Sequence, residues 1–484
     1  MDIRDTSETT MIFAPSVQKP RRLQLRLSER RLLMMTGDAL AVSGAVLIAL
    51  FIWSIVGERV FNFDFMLPQS MWFFVLNGLW FLLASANDYY DFNLAADRFL
   101  SLQRLIVISL QMLVVYVIVF FFSERDALPR LFIIYFGIIS FALLLIWRFL
   151  NPALVGWASS PRHVLVVGTD WAAQTIITIL QQHASDAYKI MGVIGAKEDV
   201  GKDLAGMTVL GSGEDLLNVV FREEISEIVV TSTRELSGDI FQGVMDAYER
   251  GVVITPMPIL YERVTERVPV EHVGDNWAVV LPIAGTSVFN PYPILKRFAD
   301  ILMALIGLSI FVLLLPVIAI LIRLDSPGNI FYTQERVGLN GRRFKIIKLR
   351  TMIPDAEAQT GAVFAQTNDD RITRMGRFMR KTRLDELPQL WNILKGDMSM
   401  IGPRPERPEH IKRLQEKIPF YRTRHTIRPG LTGWAQVRYH YGANDEDSLI
   451  KLQYDLYYVR HQSLLLDLSI IMRTIRHVLS MRGQ

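Results

Sequence analysis

The sequence predicts a helical membrane bundle of four spans, a parallel α/β domain, and a second, polar α/β module preceded by a fifth apolar helix. Three observations predict it. Four apolar stretches in the first third each approach the ~20 residues that a helix needs to cross a bilayer. From about residue 162, short buried-type strands alternate with helical segments. The last third is rich in Arg, Lys, and Gly and Pro turns. At 484 residues and 51% hydrophobic, the chain is too long for one ordinary domain and too apolar to be simply soluble. It has no cysteine, which excludes disulfides, thiolate metal sites and cysteine nucleophiles. The net charge of +4 is modest, but its cations are clustered, which on a membrane protein points to topology, lipid headgroups or anionic substrates. Nucleic acid is not expected as a partner.

Residues 1–31 form a cytoplasmic basic tail carrying Lys19, Arg21, Arg22, Arg26, Arg30 and Arg31. A cleaved signal peptide is not expected, because the apolar run lies deep in the chain and no small-residue cleavage site follows it. Apolar stretches near 32–56, 71–87, 105–123 and 129–150 give four spanning helices within residues 32–150. The basic N-terminus, and Arg148 with Arg162 after the fourth helix, place both ends of this bundle in the cytoplasm. Asp38 falls inside the first span, where a charge is costly, and is expected near the headgroups.

The second domain covers residues 160–283. Val164-Leu165-Val166-Val167-Gly168 is a strand entering a glycine turn, followed by a helix to about 182 and by strands at Lys189–Ile194, Glu227–Thr231 and Gly251–Thr255. The turn Gly168-Thr169-Asp170-Trp171 lacks the further glycines that let backbone approach a pyrophosphate, which favours a scaffold or regulatory role over nucleotide binding. Residues 284–323 comprise a linker and the fifth apolar stretch, Ile301 to Ile322. Pro316 removes a backbone donor in its middle, predicting a sharp kink. Basic residues on both sides suit a re-entrant helix-break-helix with both ends in the cytoplasm, and a kinked fifth span is the alternative. Residues 324–484 hold the chemistry and close on a basic helix after Leu464, suited either to a membrane surface or to ordinary packing.

Between Arg336 and Arg383 stand twelve Lys or Arg and four acidic residues. This concentration suits phosphates, whose oxygens match the guanidinium fork, although lipid headgroups or RNA would suit it too. Next come Arg383-Leu384-Asp385-Glu386-Leu387-Pro388-Gln389. Pro388 fits the first turn of a helix, which would put the two carboxylates at a helix start. One carboxylate can attack phosphorus while the other holds Mg²⁺, with neighbouring arginines neutralising the transferred group. Gly402-Pro403-Arg404-Pro405 and Arg428-Pro429-Gly430 are rigid turns that each present an arginine.

These residues resemble the polyprenyl-phosphate hexose-1-phosphate transferases, the bacterial sugar transferases whose catalytic modules are monotopic phosphoglycosyl transferases. The resemblance runs in order through Ser326-Pro327-Gly328, Gln334-Glu335-Arg336-Val337-Gly338, Lys348-Leu349-Arg350-Thr351-Met352, Asp370-Arg371-Ile372-Thr373-Arg374, Leu384-Asp385-Glu386-Leu387-Pro388-Gln389, Gly402-Pro403-Arg404-Pro405 and Arg428-Pro429-Gly430-Leu431-Thr432-Gly433. It implies the complete fold class: a membrane α-helical bundle of four spans, a Rossmann-like α/β domain, and a re-entrant-helix α/β phosphoglycosyl transferase module.

The resemblance also implies a multi-pass protein of the bacterial inner membrane with its catalytic domain in the cytoplasm. The implied reaction moves hexose-1-phosphate from a UDP-sugar, glucose or galactose, to undecaprenyl phosphate. It proceeds through a phosphosugar-aspartyl intermediate with release of UMP. Asp385 is the implied nucleophile and Glu386 the ligand of Mg²⁺ or Mn²⁺, with Asp385 also near the metal. Lys348, Arg350, Arg380, Arg383, Arg404 and Arg428 are the expected phosphate binders. Pro316, Pro388, Gly402, Pro403, Pro405, Pro429 and Gly430 are expected to shape the site. Membrane phospholipids and a second copy of the chain, as a homodimer, are expected partners. After Val437 the sequence departs from many relatives, reading Arg438-Tyr439-His440-Tyr441-Gly442, and here it resembles a subgroup associated with exopolysaccharide export. A glycosyltransferase that moves the sugar without its phosphate, and a membrane receptor, are the other function classes the residues admit.

Overall fold

The computed structural model describes residues 27–90, 98–122, 130–155, 161–231, 238–272, 290–354, 356, 369–439 and 444–479. Most of the basic tail, the linker through residue 289, and positions 440–443 of the departing loop lie outside them.

The bundle consists of α1 (Leu27–Val56), α2 (Ser70–Ala86), α3 (Arg98–Phe122) and α4 (Arg130–Val155). Their outer faces carry Leu40, Phe51, Phe74 and Ile138, while Ala45, Val46, Ala49, Trp80, Leu83, Ile108 and Phe132 close the interior. A helix apolar on all sides is what a lipid solvent selects. Gly37 lets α1 approach α4 closely, since a Cβ there would stand 2.0 Å from the Trp147 ring. Asp38, expected near the headgroups, faces the interior of the bundle. It is fully buried and accepts hydrogen bonds from Trp80 Nε1 at 3.2 Å and the Tyr90 hydroxyl at 2.9 Å. Two aromatic donors offset the cost of burying a carboxyl, a pairing invisible in the sequence of α1 alone.

The second domain runs β1 (Arg162–Val167), α5 (Trp171–His183), β2 (Tyr188–Ile194), β3 (Asp203–Leu204), β4 (Met207–Gly211), α6 (Leu216–Arg222), β5 (Glu227–Val230), α7 (Gly238–Glu249), β6 (Val253–Pro256) and α8 (Met257–Thr265). The strands lie in the order β3-β4-β2-β1-β5-β6, parallel except for the edge strand β3. Val164 and Val166 pack with Ile176 and Leu180 on one face, and Leu165 and Val167 with Leu216 and Val244 on the other. A strand buried on both faces reads as an unbroken apolar run for this reason.

The last part runs α9 (Tyr292–Asp325), β7 (Phe331–Val337), β8 (Arg343–Leu349), α10 (Arg374–Thr382), α11 (Gln389–Lys395), β9 (Ser399–Ile401), α12 (Pro408–Lys417), β10 (Gly430–Thr432), α13 (Trp434–Arg438), α14 (Asp445–Arg460) and α15 (Leu464–Leu479). Strands β7 and β8 form an antiparallel hairpin, and β9 and β10 a short parallel pair. Helix α9 joins the four bundle helices as the fifth segment long and apolar enough to cross a membrane, among the described residues. It is assigned as one helical segment from Tyr292 to Asp325, with Pro316 inside it. A proline inside a helix forfeits one backbone hydrogen bond, the usual origin of a bend in a long helix.

Both ends of α9 are fastened to the same module. At one end Arg297 donates to the carbonyls of Ile393 at 2.7 Å and Leu394 at 2.8 Å, and buried Asp300 accepts from Met400 N at 2.9 Å and Ser399 Oγ at 3.1 Å. At the other, Ile318 and Ile322 pack with Leu349 and Met379, and Asp325 accepts from Met375 N at 2.8 Å. A long apolar row remains exposed, including Leu302, Leu305, Ile306, Leu313 and Val317.

The closing helix α15 is packed. Ile470 is buried with Trp434 and Tyr458, Met472 reaches the bundle core, and Arg473 pairs with Asp88 after α2. Helix α8 joins the second domain to the last one: Glu262 pairs with Arg460, Glu266 with Arg438, and Val268 N donates to Gln453 O at 3.1 Å.

Candidate active site

The acidic pair is delivered by a reversal between two helices. Thr373 caps α10, its hydroxyl accepting from Gly376 N at 3.0 Å. Arg383 then takes a left-handed conformation, φ +58°, and ends the helix. The next three residues, Leu384, Asp385 and Glu386, make a single 3₁₀ turn, and Pro388 stands just ahead of α11. The pair therefore precedes the helix rather than occupying its first turn, and α11 is only 7 residues long. Side-chain cations, rather than a helix terminus, supply the positive charge. The turn is pinned from below by Leu387 and Leu390, which pack with Leu308 and Ala304 of α9, and by Asn392. That side chain bridges to β8, accepting from Ile347 N at 3.2 Å and donating to Lys345 O at 2.9 Å.

Both carboxylates are buried, each 7% exposed. Glu386 Oε1 accepts from Lys348 Nζ at 2.8 Å and from an Arg404 guanidinium nitrogen at 3.0 Å, and Oε2 lies 3.9 Å from Arg383. Burial pushes the Glu386 carboxyl up, but Lys348, Arg404 and Arg383 overcome it and hold the group below the usual carboxylate range. Asp385 has the opposite balance. Burial and the adjacent Glu386 charge push it up to about 6, against the pull of Lys348, Arg380 and Arg383. Its Oδ1 is buried with no hydrogen-bond partner among the described residues. The site thus holds one carboxylate saturated by cations and one with an unused oxygen, a division that suits distinct chemical roles.

Of the sequence-predicted phosphate binders, Lys348, Arg380, Arg383 and Arg404 act on this pair. Arg380 also donates through Nε to Thr351 Oγ1 at 3.0 Å. Arg350 is engaged elsewhere, donating to the carbonyls of Pro327 at 2.6 Å and Ser326 at 2.7 Å, where it ties the end of α9 to β8. Arg428 donates through Nε to Gly396 O at 3.0 Å. Neither contact involves the acidic pair.

The two proline-glycine turns are stapled to each other. Gly402 N donates to Thr432 O, Gly430 N to Pro403 O and Ser399 N to Pro429 O, each at 2.9 Å. A Cβ on Gly402 would stand 2.3 Å from Arg428 O, and one on Gly430 2.1 Å from Gly402 N. Glycine is required here for backbone contact rather than for a positive φ. Pro405 presents its carbonyl to half-buried Arg336 at 3.2 Å. Arg404 leaves this platform toward Glu386.

Sequence reasoning missed a further support. Arg424 is buried, pairs with Asp455 of α14 at 2.7 Å, accepts company from Tyr421, whose hydroxyl it meets at 2.7 Å, and donates to the backbone carbonyl of Arg404 at 3.1 Å. Nothing in the local sequence links positions 424 and 455. Asp300 was more legible, since a lone carboxylate in an apolar helix needs a partner. Among the described residues no group of three or more His, Cys, Asp or Glu could hold a metal. Two carboxylates, one with a free buried oxygen, nevertheless fit Mg²⁺, which takes few protein ligands and completes its shell with water and substrate phosphate.

Buried acidic and basic groups of this kind, set against an apolar helix, suit phosphate chemistry beside a membrane. Residues 291–481 match the family model described as bacterial sugar transferase, and residues 85–258 match one described as CoA-binding domain. A UDP-glucose:undecaprenyl-phosphate glucose-1-phosphate transferase of Xanthomonas campestris pv. campestris is 32% identical over 66% of this chain and 67% of its own length. An enzyme of that name from Caulobacter vibrioides is 42% identical over 38% of this chain and 70% of its own length. A UDP-N-acetylgalactosamine-undecaprenyl-phosphate N-acetylgalactosaminephosphotransferase of Aeromonas hydrophila is 41% identical over 51% of this chain, which spans 58% of that relative's length. The chain belongs to the bacterial sugar transferase family.

Proposed function

We propose that the protein transfers hexose-1-phosphate from a UDP-sugar to undecaprenyl phosphate at the cytoplasmic face of a bacterial inner membrane, initiating an exopolysaccharide or O-antigen repeat unit. The observation that carries this reading is the unequal pair, with Glu386 ringed by Lys348, Arg404 and Arg383 and Asp385 holding an unused oxygen. Asp385 attacks the phosphorus that bears the sugar; its new P–O bond forms as the bond to UMP breaks, and UMP leaves with that bridging oxygen. An oxygen of undecaprenyl phosphate then attacks the same phosphorus, displaces the Asp385 carboxylate and yields the lipid-diphosphate sugar. Lys348, Arg380, Arg383 and Arg404 bind the phosphate oxygens and stabilise the charge that develops on them. Glu386, with Asp385, would hold Mg²⁺ or Mn²⁺, which when bound neutralises diphosphate charge.

Helix α9 rests in one leaflet with both ends on the cytoplasmic side. The contacts of Arg297 and Asp300 at one end, and of Ile322 and Asp325 at the other, to one polar module support this placement. The hexose is glucose, galactose or N-acetylgalactosamine, the sugars in the names of related proteins.

Incubation with a panel of UDP-sugars, followed by intact-protein mass spectrometry, tests the mechanism. Wild type should gain one phosphosugar and release UMP without acceptor lipid, and Asp385→Asn should gain nothing. An undiminished adduct on Asp385→Asn would remove Asp385 from the nucleophile's role, and release of UDP would replace the reaction with direct glycosyl transfer.

A further inference from the structure

Helix α13 follows β10 closely and is only 5 residues long. Trp434 and Arg438, four positions apart, share one face of it, and Gln436 takes the opposite face. The Gln436 side meets the acidic pair's cations. Gln436 Oε1 accepts from one Arg404 guanidinium nitrogen at 3.4 Å, and the other terminal nitrogen reaches Glu386 at 3.0 Å.

On the other side three parts of the molecule converge. Arg438 pairs with Glu266 at the end of α8 in the second domain and lies 3.6 Å from Asp88, just past α2 of the bundle. Its guanidinium carbon stands 5.0 Å from the centre of the Trp434 ring, and that of Arg473, which also pairs with Asp88, stands 5.4 Å from it. Trp434 Nε1 donates to Glu266 O at 3.3 Å. Asp88 and Glu266 both stand on left-handed backbone, each at φ +56°, a conformation that persists only where the surroundings hold it. The side chains of Arg438, Glu266 and Asp88 remain 26%, 22% and 30% exposed, and ion pairs open to water in this way contribute little to folding. Their consequence is geometric.

The backbone leaves α13 no freedom to move alone. A Cβ on Gly433 would stand 2.1 Å from Gly402 O, Gly402 N donates to Thr432 O at 2.9 Å, and Val437 N donates to Gly433 O at 3.1 Å. A tilt of α13 therefore passes to the turn that carries Arg404. We propose that Arg438 is a positioning residue. By fastening α13 to the bundle and to the second domain at once, it sets where the Arg404 guanidinium meets Glu386, through Gln436 and the Gly402–Pro405 turn. The inference rests on the transferase reading only for its activity readout.

The test compares full-length Arg438→Met, Gln436→Leu, their double variant and Glu262→Gln in detergent. The readouts are UMP release, chemical unfolding, and hydrogen exchange of peptides spanning Gly402 and Gly430. Glu262→Gln is the control, because it breaks the pair with Arg460 that joins the same two domains without touching α13. Arg438→Met should lower kcat about tenfold to hundredfold, the scale of a small misplacement of a reacting group, with unfolding unchanged and exchange faster at both peptides. Gln436→Leu should lower kcat similarly, and the double variant should lose no more than the worse single variant, since both act through one contact. Asp88→Asn and Glu266→Gln should each reproduce part of the loss, and Glu262→Gln none of it. Unchanged kcat and exchange in Arg438→Met would overturn the proposal, as would losses that multiply in the double variant or an equal loss in Glu262→Gln. If wild type releases no UMP, the transferase reading fails, and exchange decides the proposal by itself: faster in Arg438→Met upholds it, unchanged overturns it.

Discussion

Arg424→Met separates the stability of the last domain from the placement of its site. Arg424 and Asp455 are 5% and 2% exposed as side chains and 2.7 Å apart. Removing the cation leaves a carboxyl buried without a counter-charge, a cost of about 3–5 kcal/mol for pairs of this kind. Replacing both partners by apolar groups is close to neutral, so Arg424→Met/Asp455→Leu should recover most of that loss. Activity should not follow. The double variant still lacks the 3.1 Å hydrogen bond to the carbonyl of Arg404, whose side chain reaches Glu386 at 3.0 Å. A hydrogen bond from a charged donor contributes about 1.5–3 kcal/mol, so UMP release should fall about tenfold to hundredfold if that energy is expressed as placement of Arg404. Chemical unfolding followed by tryptophan fluorescence reads the first quantity and UMP release the second. A double variant restored in both stability and activity would refute the positioning role, and a single variant of unchanged stability would refute the buried pair.

Four further outcomes are expected. Gly430→Ala places a Cβ 2.1 Å from Gly402 N, which should force the two turns apart, cost about 1–3 kcal/mol or more, and depress UMP release by displacing Arg404. Gly137→Ala, where nothing lies within 4 Å, should leave unfolding and activity unchanged. Burial, helped by the Arg424 charge, pushes His425 down to about 4, so the unfolded chain binds a proton that the folded chain refuses. Stability should therefore fall as pH drops from about 6.5 toward 4, by at most about 3 kcal/mol, and His425→Phe should remove that part of the slope in unfolding titrations at several pH values. Chelation with EDTA should abolish UMP release, and Mg²⁺ or Mn²⁺ should restore it; full activity in the chelator would remove the metal from the reaction.

The bundle and the alternating α/β domain are legible in the sequence because lipid and sheet burial impose whole apolar segments, visible without knowing any partner. The acidic pair is legible too, since Asp385 and Glu386 follow a run of cations and precede a proline within a few residues. What the sequence leaves open depends on contacts between distant segments. Asp38 Oδ2 accepts from Trp80 and Tyr90, 42 and 52 positions away. Arg350 and Arg428 are phosphate binders by residue type, and the fold adds hydrogen bonds from them to backbone carbonyls at Ser326, Pro327 and Gly396. Conversely, Arg424 supports the site through Asp455, which no spacing rule connects to it. The sequence by itself determined which residue types are present and the periodic faces that bury them. Tertiary structure alone decided which cation meets which oxygen, because a guanidinium answers to whatever acceptor the fold brings within about 3 Å, and that acceptor is set by the packing of segments far apart in the chain.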